Sequence, residues 1–178
     1  MLRSAAVIEI HTATEGRIDE IAALLQVAYA EFAPDPGDTE RPAWDEYYNQ
    51  EIPDVRSRWP FSEHLIAVED DRILGAVTYI PDASDPRMNE DRWPAGFAAM
   101  RLLAVHPGAR GRGLGRTLTE GCLERGRAAG RDWFGLHTTR LMNVARQMYE
   151  RMGFERFPEN DIPITPTFTV VAYRLKLP

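Results

Sequence analysis

The segment from His106 to Leu118, HPGARGRGLGRTL, constrains the fold more than any other part of the chain. Four of its thirteen residues are glycine and three are arginine. A stretch with strand character, FAAMRLLAV, ends directly before it, and an amphipathic stretch begins near Leu114. Glycine is costly to order, so such a segment is expected where the backbone bends sharply or approaches a ligand closely. Because the N–H groups at a helix start attract anions, the sequence predicts a strand, a turn and a helix around a bound anion.

Charge is distributed unevenly along the chain, whose formal net charge is −6. Residues 1–100 carry 20 acidic side chains and 8 arginines, whereas residues 101–156 carry 5 acidic side chains and 11 arginines. The acidic N-terminal half argues against a nucleic-acid-binding surface, and the basic central segment suits a compact anionic ligand. Simple solvation of the surface by these charges is the open alternative.

The composition, 44% hydrophobic and 27% charged, is that of a soluble globular protein. A length of 178 residues predicts one domain spanning residues 1–178. No apolar run is long enough for a signal peptide or a membrane span, so the sequence predicts a cytoplasmic protein without a membrane partner. The single cysteine, Cys122, excludes an internal disulfide, and the four widely spaced histidines predict no metal site.

The spacing of apolar residues predicts alternating strands and helices. Strands are expected at 5–14, in a hairpin over 64–80 that turns at Asp70–Asp71, and at 97–105, 132–139 and 168–177. Helices are expected at 15–32, at 43–59 with a break near Pro53, from about 114 to Gly130, and at 141–154. The segments 33–42 and 81–96 are expected to be loops, the second long and polar. This order predicts an α/β fold with a mixed sheet and helices on both faces.

The spacing of the glycines separates three kinds of phosphate-binding turn. A P-loop needs lysine after its last glycine, but Arg116 follows Gly115. A dinucleotide-binding turn, Gly-x-Gly-x-x-Gly, would need glycine in place of Arg116 or Leu118. The spacing that fits is Arg110-x-x-Gly113-x-Gly115.

That spacing resembles the pyrophosphate motif of the GNAT superfamily of acyl-CoA-dependent N-acetyltransferases, Gln/Arg-x-x-Gly-x-Gly/Ala, which follows a strand ending in Leu-Ala-Val-x-Pro. Here LAVHPGARGRGLGRTL begins at Leu103. A second superfamily motif, Asn-x-x-Ala-x-x-x-Tyr-x-x-x-Gly-Phe, resembles NVARQMYERMGF, in which the matching residues are Asn143, Ala145 one position early, Tyr149, Gly153 and Phe154. The resemblance implies a GNAT-like domain whose sheet is mixed, mostly antiparallel and of about six or seven strands.

The resemblance implies acetyl-CoA as the acyl donor and no metal. Its pantetheine arm would pair with the backbone of Leu103, Ala104 and Val105, and Asn143 would bind the pantetheine or phosphate portion. The pyrophosphate would be held by the backbone and arginines of the glycine turn, which comprises Arg110, Gly111, Arg112, Gly113, Leu114, Gly115 and Arg116. The thioester would lie where the strands at 97–105 and 133–139 splay apart.

The implied reaction is direct transfer of an acetyl group to a primary amine of a small molecule or peptide in a ternary complex. It needs an oxyanion partner, a proton acceptor for the ammonium and a proton donor for the leaving thiolate. Tyr149 matches the tyrosine that the superfamily commonly uses as the general acid, and a phenol with an ordinary pKa of about 10 is protonated at neutral pH. A backbone N–H near Val105 is the expected oxyanion donor. The open alternative for Tyr149 is a packed aromatic residue that lines the cofactor channel.

A general base is missing from the position where many GNAT relatives carry glutamate, because the strand before Leu103 reads FAAMR. Proton removal is expected to use another residue, a water chain or an amine that is already neutral, and the candidate residues are Glu31, Asp45, Glu46 and Tyr48. A non-catalytic acyl-CoA-binding regulatory module therefore stays open as the alternative function, and a nucleotide-phosphate binder is a second alternative that the glycine spacing disfavours. The acceptor, the acyl-chain preference and a homodimeric assembly also stay open.

Other conspicuous side chains have structural explanations. Cys122 lies on the apolar stripe of its predicted helix and is expected to be a core residue rather than a nucleophile. His137 is expected to be a hydrogen-bonded structural residue rather than a group in the opening between strands. An aromatic group is expected either to form a wall of the acceptor pocket or to pack the second helix; its members are Trp44, Tyr47, Tyr48 and Trp59.

Overall fold

An open sheet of eight strands organises residues 7–178, which a computed structural model describes, with the backbone alone described at 89–91. Its strands are β1 (Glu9–Thr12), β2 (Glu63–Glu69), β3 (Arg72–Ile80), β4 (Phe97–Val105), β5 (Trp133–Thr138), β6 (Glu155–Arg156), β7 (Ile162–Thr165) and β8 (Phe168–Lys176). The helices are α1 (Ile18–Tyr29), α2 (Arg41–Glu46), α3 (Val55–Arg58), α4 (Leu114–Ala128) and α5 (Asn143–Arg151). Residues 5 and 6 of the first predicted strand lie outside the described residues.

The strands are arranged in the order β1-β2-β3-β4-β5-β8-β6, and β7 pairs with β8 outside this path. All pairs are antiparallel except β4 with β5. The parallel pairing joins Phe97–Met100 to Trp133–Leu136 and goes no further. Beyond Met100 the two central strands are therefore unpaired with each other, and this opening is called the splay below.

Helices pack on both faces of the sheet, as the sequence predicts. On one face, Leu118 and Cys122 of α4 are fully buried in a cluster that also includes Tyr149 of α5. On the other face, Ile21 and Leu25 of α1 pack against β2, β3 and β4. Burial raises the pKa of Cys122, and the prediction that it is a core residue is confirmed.

The segment 81–96 differs from its prediction as a polar loop. It contains a 3-10 helix, Pro86–Asp91, and it buries Ala83, Met88 and Trp93 against β4 and β8. The indole of Trp93 lies 2.6 Å from the position that a Cβ would occupy on Gly135 of β5, so only glycine permits this approach. The apolar residues of this segment are isolated and show no periodicity, so the sequence did not predict that they would be buried against the sheet.

The remaining differences are confined to short elements. The predicted break near Pro53 is confirmed, since α2 continues into a π-helix, Tyr47–Glu51, and α3 begins after Asp54. Strands β6 and β7 were not predicted, because β6 has two residues and β7 contains Pro163. The described residues include no helix with the length and hydropathy needed to cross a membrane.

Candidate active site

The splay begins where β4 bends away from its regular register. The pairing of β4 with β3 shifts between Ala76 and Thr78, and Leu102 adopts a left-handed backbone with φ of 55°. This conformation costs a residue other than glycine about 1–2 kcal/mol. After the bend, the N–H of His106 donates to Leu74 of β3 at 2.8 Å. Because backbone direction alternates along a strand, the N–H groups of Leu103 and Val105 face the splay, where an extended ligand can pair with them.

The glycine turn, residues 110–116, joins this edge to α4. Gly111 and Gly113 have φ of 77° and 79°, and a Cβ on either would meet no atom within 4 Å. The backbone conformation, not crowding, therefore requires glycine at both positions. Across residues 7–178, the six N–H groups from Gly111 to Arg116 find no protein acceptor. They converge at the start of a 15-residue helix, which is a favourable place for an anion.

His106 shapes the entrance to this turn. Its Nδ1 accepts a hydrogen bond from the Gly108 N–H at 3.1 Å and caps the 3-10 helix Pro107–Ala109. Ala109 is buried directly before the glycine turn. Sequence reasoning assigned His106 no role, although a side-chain acceptor just before proline is a recognisable capping signal.

The three arginines of the turn form ion pairs with carboxylates. Arg110 contacts Glu31, which follows α1. Arg112 binds Glu69 of β2 through both terminal nitrogens, one of them at 3.1 Å, and Arg116 binds Glu120 at 2.8 Å. Since all three arginines are exposed, each can exchange its carboxylate for a ligand phosphate at small cost. Their contacts with phosphate stay predictions.

Two buried tyrosines belong to helices on opposite faces of the sheet. Tyr149 of α5 is 5% exposed and packs edge-on against Phe154 at 5.8 Å. Tyr29, the last residue of α1, donates its hydroxyl to the Leu103 carbonyl at 3.3 Å. Burial raises the pKa of both phenols. Both are therefore protonated at neutral pH, and sequence reasoning missed Tyr29.

A cleft of about 1090 Å³ opens at the splay on the side of α2. Its lining includes Met100–Leu102 of β4 and His137–Thr139 at the end of β5. Trp44 and Tyr47 line this cleft and also pack against the core beneath α1, so their role as an acceptor wall stays a prediction. Tyr48 instead donates to the Gln26 carbonyl at 3.0 Å, and Trp59 stacks on His64 at 4.9 Å.

Of the four residues expected to replace the missing base, only Glu46 lines the cleft. Glu31 is held by Arg110, and Asp45 is held by Arg41 at 2.7 Å. The Tyr48 hydroxyl is hydrogen-bonded to the Gln26 carbonyl. The predicted hydrogen bond of His137 is confirmed, because its Nε2 lies 2.9 Å from the Asn160 carbonyl, but the residue also lines the cleft.

The cleft has exposed acids around it and a buried cation beneath. Glu46, Glu51 and Asp54 are exposed, whereas Arg58 is 6% exposed and Arg101 is half-buried. Burial, followed by the charge of Arg101, lowers the pKa of Arg58 to about 10, so it is still charged at neutral pH. Charged side chains of both signs therefore border the cleft.

The geometry and the motifs agree with a comparison against protein families. A model described as the acetyltransferase (GNAT) family matches residues 26–154. The chain belongs to the GNAT family. This match contains the glycine turn, the splay and both tyrosines, while no curated protein sequence matches the chain.

Solved GNAT structures share the fold over nearly the whole chain. An acetyltransferase of the GNAT family from Staphylococcus aureus Mu50 has a TM-score of 0.68 at 15% identity, covering 97% of this chain and 100% of its own. A GNAT-family protein from Desulfovibrio desulfuricans gives 0.67 at 19% identity, covering 97% and 100%. The yncA protein of Salmonella typhimurium, solved with its cofactor acetyl-CoA, gives 0.63 at 15% identity, covering 96% and 94%. At these identities the likeness shows the GNAT fold alone.

The last predicted GNAT site residue, Asn143, is exposed at the first position of α5. Its Oδ1 accepts a hydrogen bond from Arg146 at 3.1 Å. In the chain, Asn143 follows the end of β5. A role in binding pantetheine or phosphate stays a prediction. Among the side chains that the structure describes, at 7–88 and 92–178, no three of the types that ligate metals converge.

Proposed function

We propose that this GNAT protein transfers an acetyl group from acetyl-CoA to a primary amine of a small molecule or peptide, directly and within a ternary complex. One observation carries the proposal: Gly115 of the glycine turn approaches Leu103 and Val105 on the edge of β4 and also Met148, the neighbour of Tyr149 on α5. The cleft reaches the splay from the other face. A thioester held there would be accessible to an amine in the cleft.

The residues present fit acetyl-CoA. The six N–H groups from Gly111 to Arg116 would hold its pyrophosphate, with Arg110, Arg112 and Arg116 adding charge. The backbone edge from Leu103 to Val105 would pair with the pantetheine arm, because its N–H groups face the splay. A Cβ on Gly115 would lie 3.8 Å from the side chains of Leu103 and Met148, and this closeness of the turn, β4 and α5 supports a shared cofactor channel.

The chain supplies two of the groups that the transfer needs. As the amine nitrogen bonds to the carbonyl carbon and the carbon–sulfur bond breaks, the Val105 N–H would stabilise negative charge on the carbonyl oxygen. Tyr149 would then give its proton to the leaving thiolate. Burial raises the pKa of this phenol, so it carries the proton throughout the neutral range.

Glu46 is the proton acceptor that the cleft supports best. It lies on the acceptor side of the splay, and its exposed carboxylate can receive the proton from the ammonium through water. The exposed acids at this side also favour a cationic amine. We further propose that the chain acts as one domain in the cytoplasm, without nucleic acid or membrane as partner.

A non-catalytic acyl-CoA-binding module is the second candidate, because one observation favours it. The positions where a glutamate base would stand on β4 are Ala98, Ala99 and Met100, and all three are buried. Such a module would bind acetyl-CoA without releasing thiol in the presence of any amine.

Thiol release from acetyl-CoA with a panel of primary amines tests the proposal. Tyr149→Phe is expected to lower kcat by about 100-fold, because the thiolate loses its proton donor, while Kd for acetyl-CoA stays within about twofold. Tyr79→Phe is the matched control: Tyr79 is equally buried, but it lies on β3 and its hydroxyl has no partner in the described residues.

The outcomes separate the candidates. Acetyl-CoA binding without thiol release for any amine would support the binding module instead. Turnover that Tyr149→Phe leaves unchanged would support enzymatic transfer but would reduce Tyr149 to a residue that lines the channel.

A further inference from the structure

The cleft beside the splay is larger than a small amine needs. Its volume is about 1090 Å³, whereas clefts that enclose drug-sized ligands measure about 300–1,000 Å³. Its lining includes Leu102 and Thr138 at the edges of the splay and extends to the segment 81–96 and to the hairpin of β7 and β8. An acceptor of only a few heavy atoms would leave most of this space to water. The cleft is therefore suited to an acceptor with a sizeable body behind its amine.

The most buried part of the cleft lining is apolar. Ile80, Met88 and Trp93 line the cleft, and each is at most 5% exposed. The indole of Trp93 stacks on Phe97 at 5.3 Å and approaches Gly135 so closely that a Cβ there would lie 2.6 Å from the ring. This packing fixes the indole from behind. A ligand that reaches this part of the cleft meets carbon surfaces, which favour apolar groups because water is released from both.

The β7–β8 hairpin adds apolar side chains that water reaches. Ile164 of β7 is 46% exposed and lines the cleft, and Phe168 of β8 is half-buried and lines it too. Thr167, in the turn of the hairpin, donates to the Glu40 carboxylate at 3.2 Å, and Arg140 binds the same carboxylate at 3.1 Å. These contacts hold the hairpin at the cleft. Apolar surface that faces water in a cleft is stabilised when an apolar ligand covers it.

Two arginines of the cleft lining are already held by groups of the chain. Arg87 is paired with Asp85 at 2.6 Å. Arg58 donates to the carbonyls of Glu51 at 2.8 Å and Ile52 at 3.2 Å. A ligand with a second charge would compete with these contacts, whereas an uncharged body leaves them intact. The polar contacts therefore agree with the apolar lining.

Resting on the proposed function, we propose that the acceptor is an amphipathic primary amine, whose amine faces the splay while an uncharged alkyl or aryl body fills the cleft. Burying such a body excludes water from the lining, and each CH₂ group that leaves water adds a similar increment of affinity. Amino acids and short polyamines lack this body and carry a second charge, so they are expected to be poorer acceptors.

A series of linear primary amines tests the inference, because the pKa of the amine stays nearly constant while the apolar length grows. From propylamine to octylamine, kcat/KM should rise about two- to threefold with each CH₂ group. Octylamine and 7-aminoheptanol have equal numbers of heavy atoms and differ in a terminal methyl or hydroxyl group far from the amine. Octylamine is expected to be the better acceptor by about tenfold.

Two variants with similarly exposed apolar residues locate the effect. Ile164→Ser is expected to lower kcat/KM for octylamine about three- to fivefold and to leave that for propylamine unchanged, because the lost contact is with the apolar body. Val27→Ser is the matched control, since Val27 is 50% exposed but lies on α1, outside the cleft lining. The control should leave both values unchanged, and circular dichroism checks that each variant is folded.

A binding measurement separates this inference from the proposed function. Calorimetry with N-octylacetamide and N-(7-hydroxyheptyl)acetamide, in the presence of CoA, is expected to show the same preference for the alkyl chain without any turnover. If no amine is acetylated but this preference persists and falls in Ile164→Ser, the proposed function fails and the apolar site stands. If neither kcat/KM nor binding rises with apolar length, or if Ile164→Ser keeps the full preference, the apolar site is overturned even where amines are acetylated.

Discussion

His64 is a buried titratable side chain that links folding to pH. Its Nε2 lies 3.3 Å from the Ser62 hydroxyl, and its Nδ1 lies 3.2 Å from the hydroxyl of Thr78. The ring also stacks on Trp59 and is 1% exposed. Burial, followed by the charge of Arg58, lowers the pKa of His64 to about 4. The imidazole is therefore neutral in the folded protein at neutral and mildly acidic pH.

The folded protein should lose stability as the pH falls from about 6.5 to about 4. In this range the unfolded chain binds a proton at His64 and the folded chain does not, so protonation favours unfolding by up to about 3 kcal/mol. Urea unfolding at pH values of about 7, 5.5 and 4.5 measures the decline. The loss of unfolding free energy at low pH should be smaller in His64→Gln. It should be unchanged in His11→Gln, because His11 is exposed. An equal decline in wild type and His64→Gln would contradict this assignment.

The glycine turn and α4 form an element whose glycines are not equivalent. Gly113 precedes the helix with φ of 79°, in open space. Gly115 lies within the helix, and a Cβ there would be 3.8 Å from the side chains of Leu103 and Met148, which is an ordinary contact. Position 113 therefore requires glycine. Position 115 tolerates alanine, which agrees with the Gly/Ala choice at the end of the family motif.

Gly113→Ala should lower the free energy of unfolding by about 1–2 kcal/mol, because alanine disfavours the left-handed conformation. The N–H groups that follow should also lose their alignment, and we expect acetyl-CoA to bind about tenfold more weakly. Gly115→Ala should be at least as stable as wild type and bind acetyl-CoA with similar affinity. Urea unfolding and calorimetry on both variants measure these effects. Equal behaviour of the two variants would argue against the turn as the phosphate site.

The whole molecule consists of two sheet portions that meet over a short parallel ladder. β1 to β4 form one portion and β5, β8 and β6 the other, and only Phe97–Met100 pair across the junction. A ligand lying in the splay would contact both portions. Its binding should therefore stabilise the molecule globally and protect the edges of the splay locally.

CoA at about 100 times its Kd should raise the free energy of unfolding by about 2.7 kcal/mol and Tm by about 5–10 °C. Amide hydrogen exchange should slow at Leu103–Val105 and Gly111–Arg116, while the hairpin of β2 and β3 changes little. Thermal unfolding and exchange mass spectrometry measure the two effects. Stabilisation with protection confined to another surface would show that CoA binds elsewhere.

The sequence by itself determined those features that depend on a few neighbouring residues. The hairpin turn at Asp70–Asp71, where φ is 47° and 63°, follows from residues that tolerate positive φ. The buried stripe of α4 follows from helical periodicity, and the glycine turn follows from fixed spacing next to a strand. Local backbone preference and periodicity act within one element, so a single sequence is enough to find them.

Only the tertiary structure decided how distant residues meet. Tyr29 reaches Leu103 across 74 positions, Trp93 packs on Gly135, and Arg58 and Arg101 line the same cleft. Glu46 faces the cleft while its neighbour Asp45 is tied to Arg41. These contacts depend on how the helices dock on the sheet and on where β4 leaves β5. Neither periodicity nor composition encodes that docking, because it arises from packing between elements whose side chains are far apart in the chain.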